Sequence, residues 1–304
     1  MRFTLEYPVA HPSYNEEFLD PDVVSAVAES AEKAGFTAVG ITDHPAPSEK
    51  WMRAGGHDAL DPFSALAFCA AVTTRLRLMT LLLVAPYRNP LLIAKCAATV
   101  DVLSKGRLVL ALGAGYLRSE FAALGVEFSE RNDLLDEAVE AMTGIWSNDA
   151  FGFAGKHFTA IAQTARPRPV QQQVPVWFGG NSVGARRRVA RAGQGWAPLM
   201  NDPTSAKTNR TALLDTPKKL GVAIEQLRDF LAAEGRDPAG VDVQVATPQA
   251  GAWACEPSLE QHRDHLGELG AVGVTSFVVK IPGEDSRLAI DQLNRYGSEI
   301  IAGC

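Results

Sequence analysis

Val174-Pro-Val-Trp-Phe-Gly-Gly-Asn-Ser-Val-Gly-Ala-Arg-Arg-Arg-Val-Ala-Arg191 is the stretch whose reading decides the fold of this chain. Val174, Val176, Trp177 and Phe178 have the β-branched and aromatic character of a buried strand. Gly179 and Gly180 then permit backbone angles and close approaches that a side chain forbids. Asn181 or Ser182 caps the helix that follows. A helix start leaves backbone N–H groups free and favours an anion, so strand, glycine turn and capped helix together make either a phosphate cradle or an ordinary βα loop.

Outward from this unit, the chain repeats the same alternation. Strands are expected at Phe3–Tyr7, Ala38–Thr42, Leu76–Val84, Arg107–Gly113, Val174–Phe178, Gly195–Leu199, Val241–Ala246 and Val274–Ile281. Helical patterns separate them, for example Leu134, Leu135, Ala138, Val139, Met142 and Ile145 with acidic residues on the opposite face. Leu81 to Val84 is too uniformly apolar for a half-exposed strand and reads as part of a parallel sheet covered on both sides. Eight strands alternating with helices predict a closed α/β structure, a single (β/α)8 TIM barrel occupying residues 1–304, with insertions in the strand-end loops. The segment from Phe151 to Pro169 lacks helical periodicity and reads as an insertion with a short hairpin around Gly155. Asn201 to Thr216 reads as a polar loop.

Composition narrows the partner. With 46% hydrophobic and 21% charged residues over 304 positions, the chain has material for a large core. A net charge of −6 argues against a broad nucleic-acid surface. No stretch is long and charge-free enough to cross a membrane, and the N-terminus enters a strand without a signal-peptide pattern. Cys69, Cys96, Cys255 and Cys304 are scattered without a metal or disulfide spacing. His262 and His265 share a helical face but have no third ligand in view. The expectations are therefore a cytoplasmic protein, a small-molecule partner and no metal.

In a barrel of this kind the chemistry sits at the C-terminal ends of the strands. That rule selects Asp43 and His44, the Leu81–Arg88 segment, Gly113 to Tyr116, and Gly179 to Ser182. A histidine beside a carboxylate at a strand end is suited to donate a hydrogen bond or move a proton, with a structural loop histidine as the bland reading. Glu120 and Arg131 read as a buried or half-buried pair, and Arg186 to Arg188 as a solvated helix face. Trp51 and Trp196 either line the mouth or pack beneath it, and Arg88 either reaches a ligand or fixes its own loop.

Together, Ile41-Thr-Asp-His44, Leu82-Leu-Val-Ala-Pro-Tyr-Arg-Asn-Pro90, Gly113-Ala-Gly-Tyr-Leu-Arg-Ser-Glu-Phe121 with Gly125 and Arg131, Pro167-Arg-Pro-Val-Gln171 and Pro175-Val-Trp-Phe-Gly-Gly-Asn-Ser182 carry a family resemblance. The chain resembles the bacterial luciferase-like superfamily, and most of all its coenzyme F420-dependent oxidoreductases, from the first strand to the last helix. The resemblance implies a site for F420, with FMN as the alternative, formed by Asp43, His44, Leu81, Leu82, Ala114, Gly115, Tyr116, Gly179, Gly180, Asn181 and Ser182. His44 is the residue it implies for catalysis, and Gly179 to Ser182 would take the phosphate. It also implies a non-prolyl cis peptide in the third strand, by position Leu81–Leu82, where the family often has a smaller first residue. Some F420 sugar-phosphate dehydrogenases have a glutamate proton donor where this chain has Tyr116, a departure that speaks against that substrate class. A secondary role for Arg186 to Arg188 in attracting the acidic tail of F420, and a homodimer through barrel helices, complete the expectations. The competing readings are an FMNH2-dependent monooxygenase, a cofactor-binding protein without turnover, and a barrel isomerase, the last lacking a convincing acid–base partner for the histidine.

Overall fold

The computed structural model describes residues 1–251, 253 and 259–303. Cys255 and Cys304, two of the scattered cysteines, lie outside the described residues. Nine parallel strands follow the order β3 (Arg77–Thr80), β2 (Ala38–Ile41), β1 (Arg2–Glu6), β11 (Ser276–Lys280), β10 (Asp242–Val245), β9 (Gly195–Ala197), β8 (Val176–Gly179), β5 (Leu108–Gly113) and β4 (Leu83–Val84). Strand β3 also pairs with β5, through Leu78 with Leu108 and Met79 with Val109, so the sheet closes on itself. Strands β3 and β4 are the two halves of the third expected strand, interrupted at Leu81 and Leu82. The result is an eight-position (β/α)8 barrel, as the alternation of elements predicts.

Helices α1 (Pro21–Lys33), α3 (Pro62–Val72), α4 (Pro90–Leu103), α6 (Arg131–Ser147), α7 (Val183–Ala192), α9 (Pro217–Ala233), α10 (Leu259–Ala271) and α11 (Ser286–Glu299) surround the barrel. Several begin by the same local rule. Asp20, Asp61, Asn89 and Thr216 each accept a first-turn N–H, with proline as the next residue, where its missing donor costs nothing. The main core lies between sheet and helices. A smaller cluster of Ala38, Met79, Val109, Ala111 and Trp177, with Leu82 against it, fills the barrel interior. Polar side chains also point inward: Thr4 Oγ1 and Ser276 Oγ donate to Gln244 Oε1 at 2.6 and 3.2 Å.

The insertion contains the expected hairpin, β6 (Phe151–Ala154) with β7 (Thr159–Gln163). Glu137 on α6 secures it, accepting the N–H groups of Lys156 and His157 and the His157 ring. The Pro167–Gln171 motif is structural at its end, since buried Asp101 accepts the N–H groups of Val170 and Gln171 and the Gln171 amide. Three short helices escape the sequence reading: α2 (Glu49–Arg53), α5 (Arg118–Ala123) and α8 (Pro203–Thr208). The last corrects the expectation of an unbroken loop from Asn201 to Thr216. Each has at most six residues, too few for an apolar periodicity to emerge.

Candidate active site

A cavity of about 480 Å³ opens at the C-terminal mouth of the barrel. Asp43, His44, Leu81, Leu82, Gly115 and Tyr116 all line it, so three of the four expected strand ends converge there. Ala114 and Gly179 to Ser182 are not among its lining residues; they stand beside it. Its opposite wall carries Gln244, Val278 and the Lys280–Glu6 ion pair, with Nζ to Oε2 at 2.7 Å.

The floor is the break between β3 and β4. The Leu81–Leu82 peptide is cis, at the position the resemblance implies. Both leucine side chains sit where neighbouring strands have no side chain of their own. A Cβ on Gly40 would stand 2.8 Å from Leu81 Cδ2, and one on Gly179 would stand 2.0 Å from Leu82 Cδ1. Gly113 is also close, its Cβ position lying 3.5 Å from Leu82 Cδ1. The larger first residue, Leu81, is thus accommodated by Gly40 on the flanking strand β2.

His44 is held by a carboxylate, that of Glu120 rather than of the adjacent Asp43. Its Nδ1 lies 3.2 Å from Glu120 Oε2. A carboxylate oxygen accepts, so Nδ1 carries hydrogen and Nε2 is left for the cavity. Glu120 is fully buried, and the N–H of Ala46 and the hydroxyl of Tyr87 donate to the same carboxylate at 2.9 and 3.0 Å. Burial pushes its carboxyl upward, but the bonds from His44, Ala46 and Tyr87 outweigh burial and hold it below the usual range. Burial and the same Glu120 charge raise Tyr87. The expected Glu120–Arg131 pair does not form. Arg131 instead lies over Phe128 at 4.1 Å and donates to its carbonyl.

Asp43 acts on the chain around it. Both oxygens are engaged by Arg88 at 2.7 Å, and Oδ2 also accepts the Val84 N–H at 2.9 Å. The carboxylate therefore ties β2 to β4 and to the loop after it, and Arg88 fixes that loop. Around His44 the ring centroids of Trp51, His57 and Tyr116 lie 4.7, 5.1 and 6.0 Å away. Burial and the Glu120 carboxylate raise Tyr116 to about 12, keeping it a hydrogen-bond donor at neutral pH. His57, which lines the same cavity, was invisible in the sequence because it lies on an irregular loop with no motif around it. Its Nδ1 donates to the Asp58 carbonyl at 2.8 Å, and burial lowers its pKa.

At the helix start beside the cavity, Ser182 is the cap, its Oγ accepting the Ala185 N–H at 3.1 Å. Gly180 has φ +98°, a conformation suited to glycine. The Asn181 side chain is buried and bonds Leu199 and Ala212, while its own N–H goes to Thr211 Oγ1. Trp196 is packing, fully buried with Nε1 on the Gly180 carbonyl. Arg186 corrects the expected solvated face: it is buried against Asn181 O and Gln226, and Arg188 pairs with Asp136. His262 is likewise a core residue bonded to the Tyr296 hydroxyl, and no metal-binding group occurs among the described residues. No helix among them is long and apolar enough to cross a membrane.

A closed α/β barrel with a broken third strand, a buried carboxylate–histidine pair and a mouth cavity defines a class of small-molecule enzymes. The chain belongs to the luciferase-like monooxygenase family, whose model matches residues 1–272. It is similar to an uncharacterised protein of Mycobacterium tuberculosis, 28% identical over 296 residues that cover 91% of this chain and 93% of the relative. It is also similar to an F420-dependent glucose-6-phosphate dehydrogenase of Amycolatopsis mediterranei, 33% identical over 195 residues, 62% of this chain and 56% of that one. Among solved structures, a monooxygenase from Streptomyces bottropensis superposes with a TM-score of 0.79 at 20% identity, covering 100% and 99% of the two chains. An F420-dependent secondary alcohol dehydrogenase, solved with an F420–acetone adduct, gives 0.76 at 17%, covering 99% of each. These structural likenesses establish the fold.

Proposed function

We propose that this protein is an F420-dependent oxidoreductase that transfers a hydride between the deazaflavin and a small organic substrate. The observation that carries this reading is the His44–Glu120 pair at the edge of a cavity floored by Leu81–Leu82. The cavity volume suits a ring cofactor with a small partner. The glycines at 40, 113 and 179 leave room for that floor, and Ser182 and Gly180 shape a helix start suited to a phosphate. When bound, F420 supplies the two-electron hydride carrier.

The residues would divide the remaining work. Asp43, through Arg88 and Val84, holds the loop that frames the floor. Glu120 holds Nδ1 and fixes the His44 ring, so that Nε2 gives a proton to, or takes one from, a substrate oxygen as hydride moves. Tyr116 and Trp51 shield this face from water. Leu81, Leu82, Ala114 and Gly115 would contact the ring, while Gly179, Gly180 and Ser182 take the phosphate on a turn that the buried Asn181, its donors already engaged, braces. Tyr116, standing where some sugar-phosphate dehydrogenases have a glutamate, favours a substrate other than a sugar phosphate. Exposed Leu92 and Leu103 on α4 support a homodimer, and the continuous barrel supports one domain over 1–304.

Titrating the purified protein with F420 and with FMN, oxidised and reduced, tests the reading. Saturable F420 binding without oxygen consumption is expected. Tight binding of reduced FMN with oxygen uptake, and none of F420, would replace it with the monooxygenase reading that the family name favours.

A further inference from the structure

Three arginines from three different elements converge on one aromatic ring beside the mouth. The guanidinium carbons of Arg118, Arg131 and Arg210 lie 4.7, 4.1 and 5.8 Å from the Phe128 centroid. Arg118 opens α5, Arg131 opens α6, and Arg210 follows α8, so nothing local in the sequence brings them together. None makes an ion pair among the described residues, whereas Arg88, Arg166, Arg188, Arg191 and Arg228 each face a carboxylate. Glu127, next to Phe128, has its carboxylate turned to the N–H and hydroxyl of Ser129. The cations therefore stand together without an ion pair, the one nearby acid, Glu127, acting on Arg118 only through its charge. Burial, and then repulsion from Arg118 and Arg210, lowers the pKa of Arg131.

The cluster adjoins the expected phosphate position on one side and the cavity wall on the other. Arg210 precedes Thr211, whose hydroxyl receives the Asn181 N–H, and Arg210 itself holds φ +51°, an unfavourable angle for a residue with a side chain. On the other side, Phe128 packs edge-on against buried Phe121 at 5.1 Å, and Phe121 borders Gly115 of the cavity wall. Three like charges held together next to a helix start are stabilised by an anion placed among them.

We infer that Arg118, Arg131 and Arg210 form a binding site for the carboxylates of the cofactor's tail, beyond the phosphate taken by Gly179 to Ser182. The inference rests on the proposed use of F420, whose phosphate is followed by a chain of glutamates. FMN ends at its phosphate and would leave at least part of this charge unanswered. The site also takes over the role expected of Arg186 to Arg188, whose first member is buried and whose third is paired.

The test compares F420 carrying several glutamates with the form from which they have been removed, using the intact protein and the R118Q/R210Q variant. Both exchanged side chains are exposed, so folding is spared, and Arg131 with its carbonyl bond is left in place. The expected result is a loss of roughly tenfold in affinity for the full-length cofactor at low salt, which disappears at high salt, and no change for the truncated form. Equal affinity of wild type and variant for the full-length cofactor would overturn the tail site while leaving the F420 reading intact. Failure of the wild type to bind either form would overturn both, since the site then has no tail to hold.

Discussion

At the residue scale the central arrangement is a buried carboxylate that a single histidine shares with a tyrosine and a backbone N–H. Glu120 cannot be removed without orphaning all three donors, so its effects reach beyond charge. Replacing His44 with Ala is expected to lower turnover by about 10²- to 10⁴-fold with little change in cofactor affinity. Glu120→Gln should lower turnover in the same direction by loosening the hold on the His44 ring; unchanged kcat in both variants would remove the proton-transfer role. His262 supplies a test of stability. Burial lowers its pKa from 6.5 to about 4, so the folded state resists a proton that the unfolded chain accepts. Stability linked to His262 is therefore complete above about pH 6.5 and falls as the pH drops toward 4, by up to about 3 kcal/mol. Denaturant titrations from pH 7 to 4 should show this slope, reduced in His262→Gln. Equal slopes in the two proteins would contradict it.

At the element scale, the broken third strand depends on what its neighbours lack. In Gly179→Ala the new Cβ would fall 2.0 Å from Leu82 Cδ1, so Leu82 must leave its place on the floor. The expected cost is about 1 to 3 kcal/mol in stability, with a clear loss of cofactor affinity. Adding Leu82→Ala should restore much of the stability, and a double-mutant cycle that finds no coupling would rule out this contact as the cause. Strand order and helix boundaries were legible because apolar periodicity and Asp-Pro, Asn-Pro and Thr-Pro starts are local signals. His44 and Leu81–Leu82 were legible because they end strands. The partner of His44 was not. Glu120 lies 76 positions along the chain, and the adjacent Asp43 offered itself as the nearer carboxylate. Adjacent residues on extended backbone point apart, so Asp43 turns to Arg88 while His44 turns to the cavity. Arg186 misled for a related reason: three consecutive arginines look solvated, yet a helix sends successive side chains about 100° apart, and one of them faces inward.

At the scale of the whole molecule, the barrel brings strand ends scattered along the chain to one rim and leaves its helices facing outward. On α4, Leu92 and Leu103 are 64% and 57% exposed, and a second copy would cover them. Light scattering is expected to give twice the chain mass of 32.6 kDa, with L92E/L103E shifting the protein to monomer. A monomeric wild type would contradict that part of the account. The polar Gln244 and Lys280 wall opposite Leu81–Leu82 leaves a partly apolar pocket for substrate, bounded by the loops after β2 and β9. The most direct test of the whole account is a crystal structure of the protein soaked with F420. The prediction is density for the ring lying on Leu81 and Leu82 with His44 at its reactive edge, the phosphate at Gly179 to Ser182, and the tail leading toward Arg118 and Arg210. Density for FMN in that place after the same treatment, with none for F420, or a deazaflavin ring bound away from His44, would contradict it.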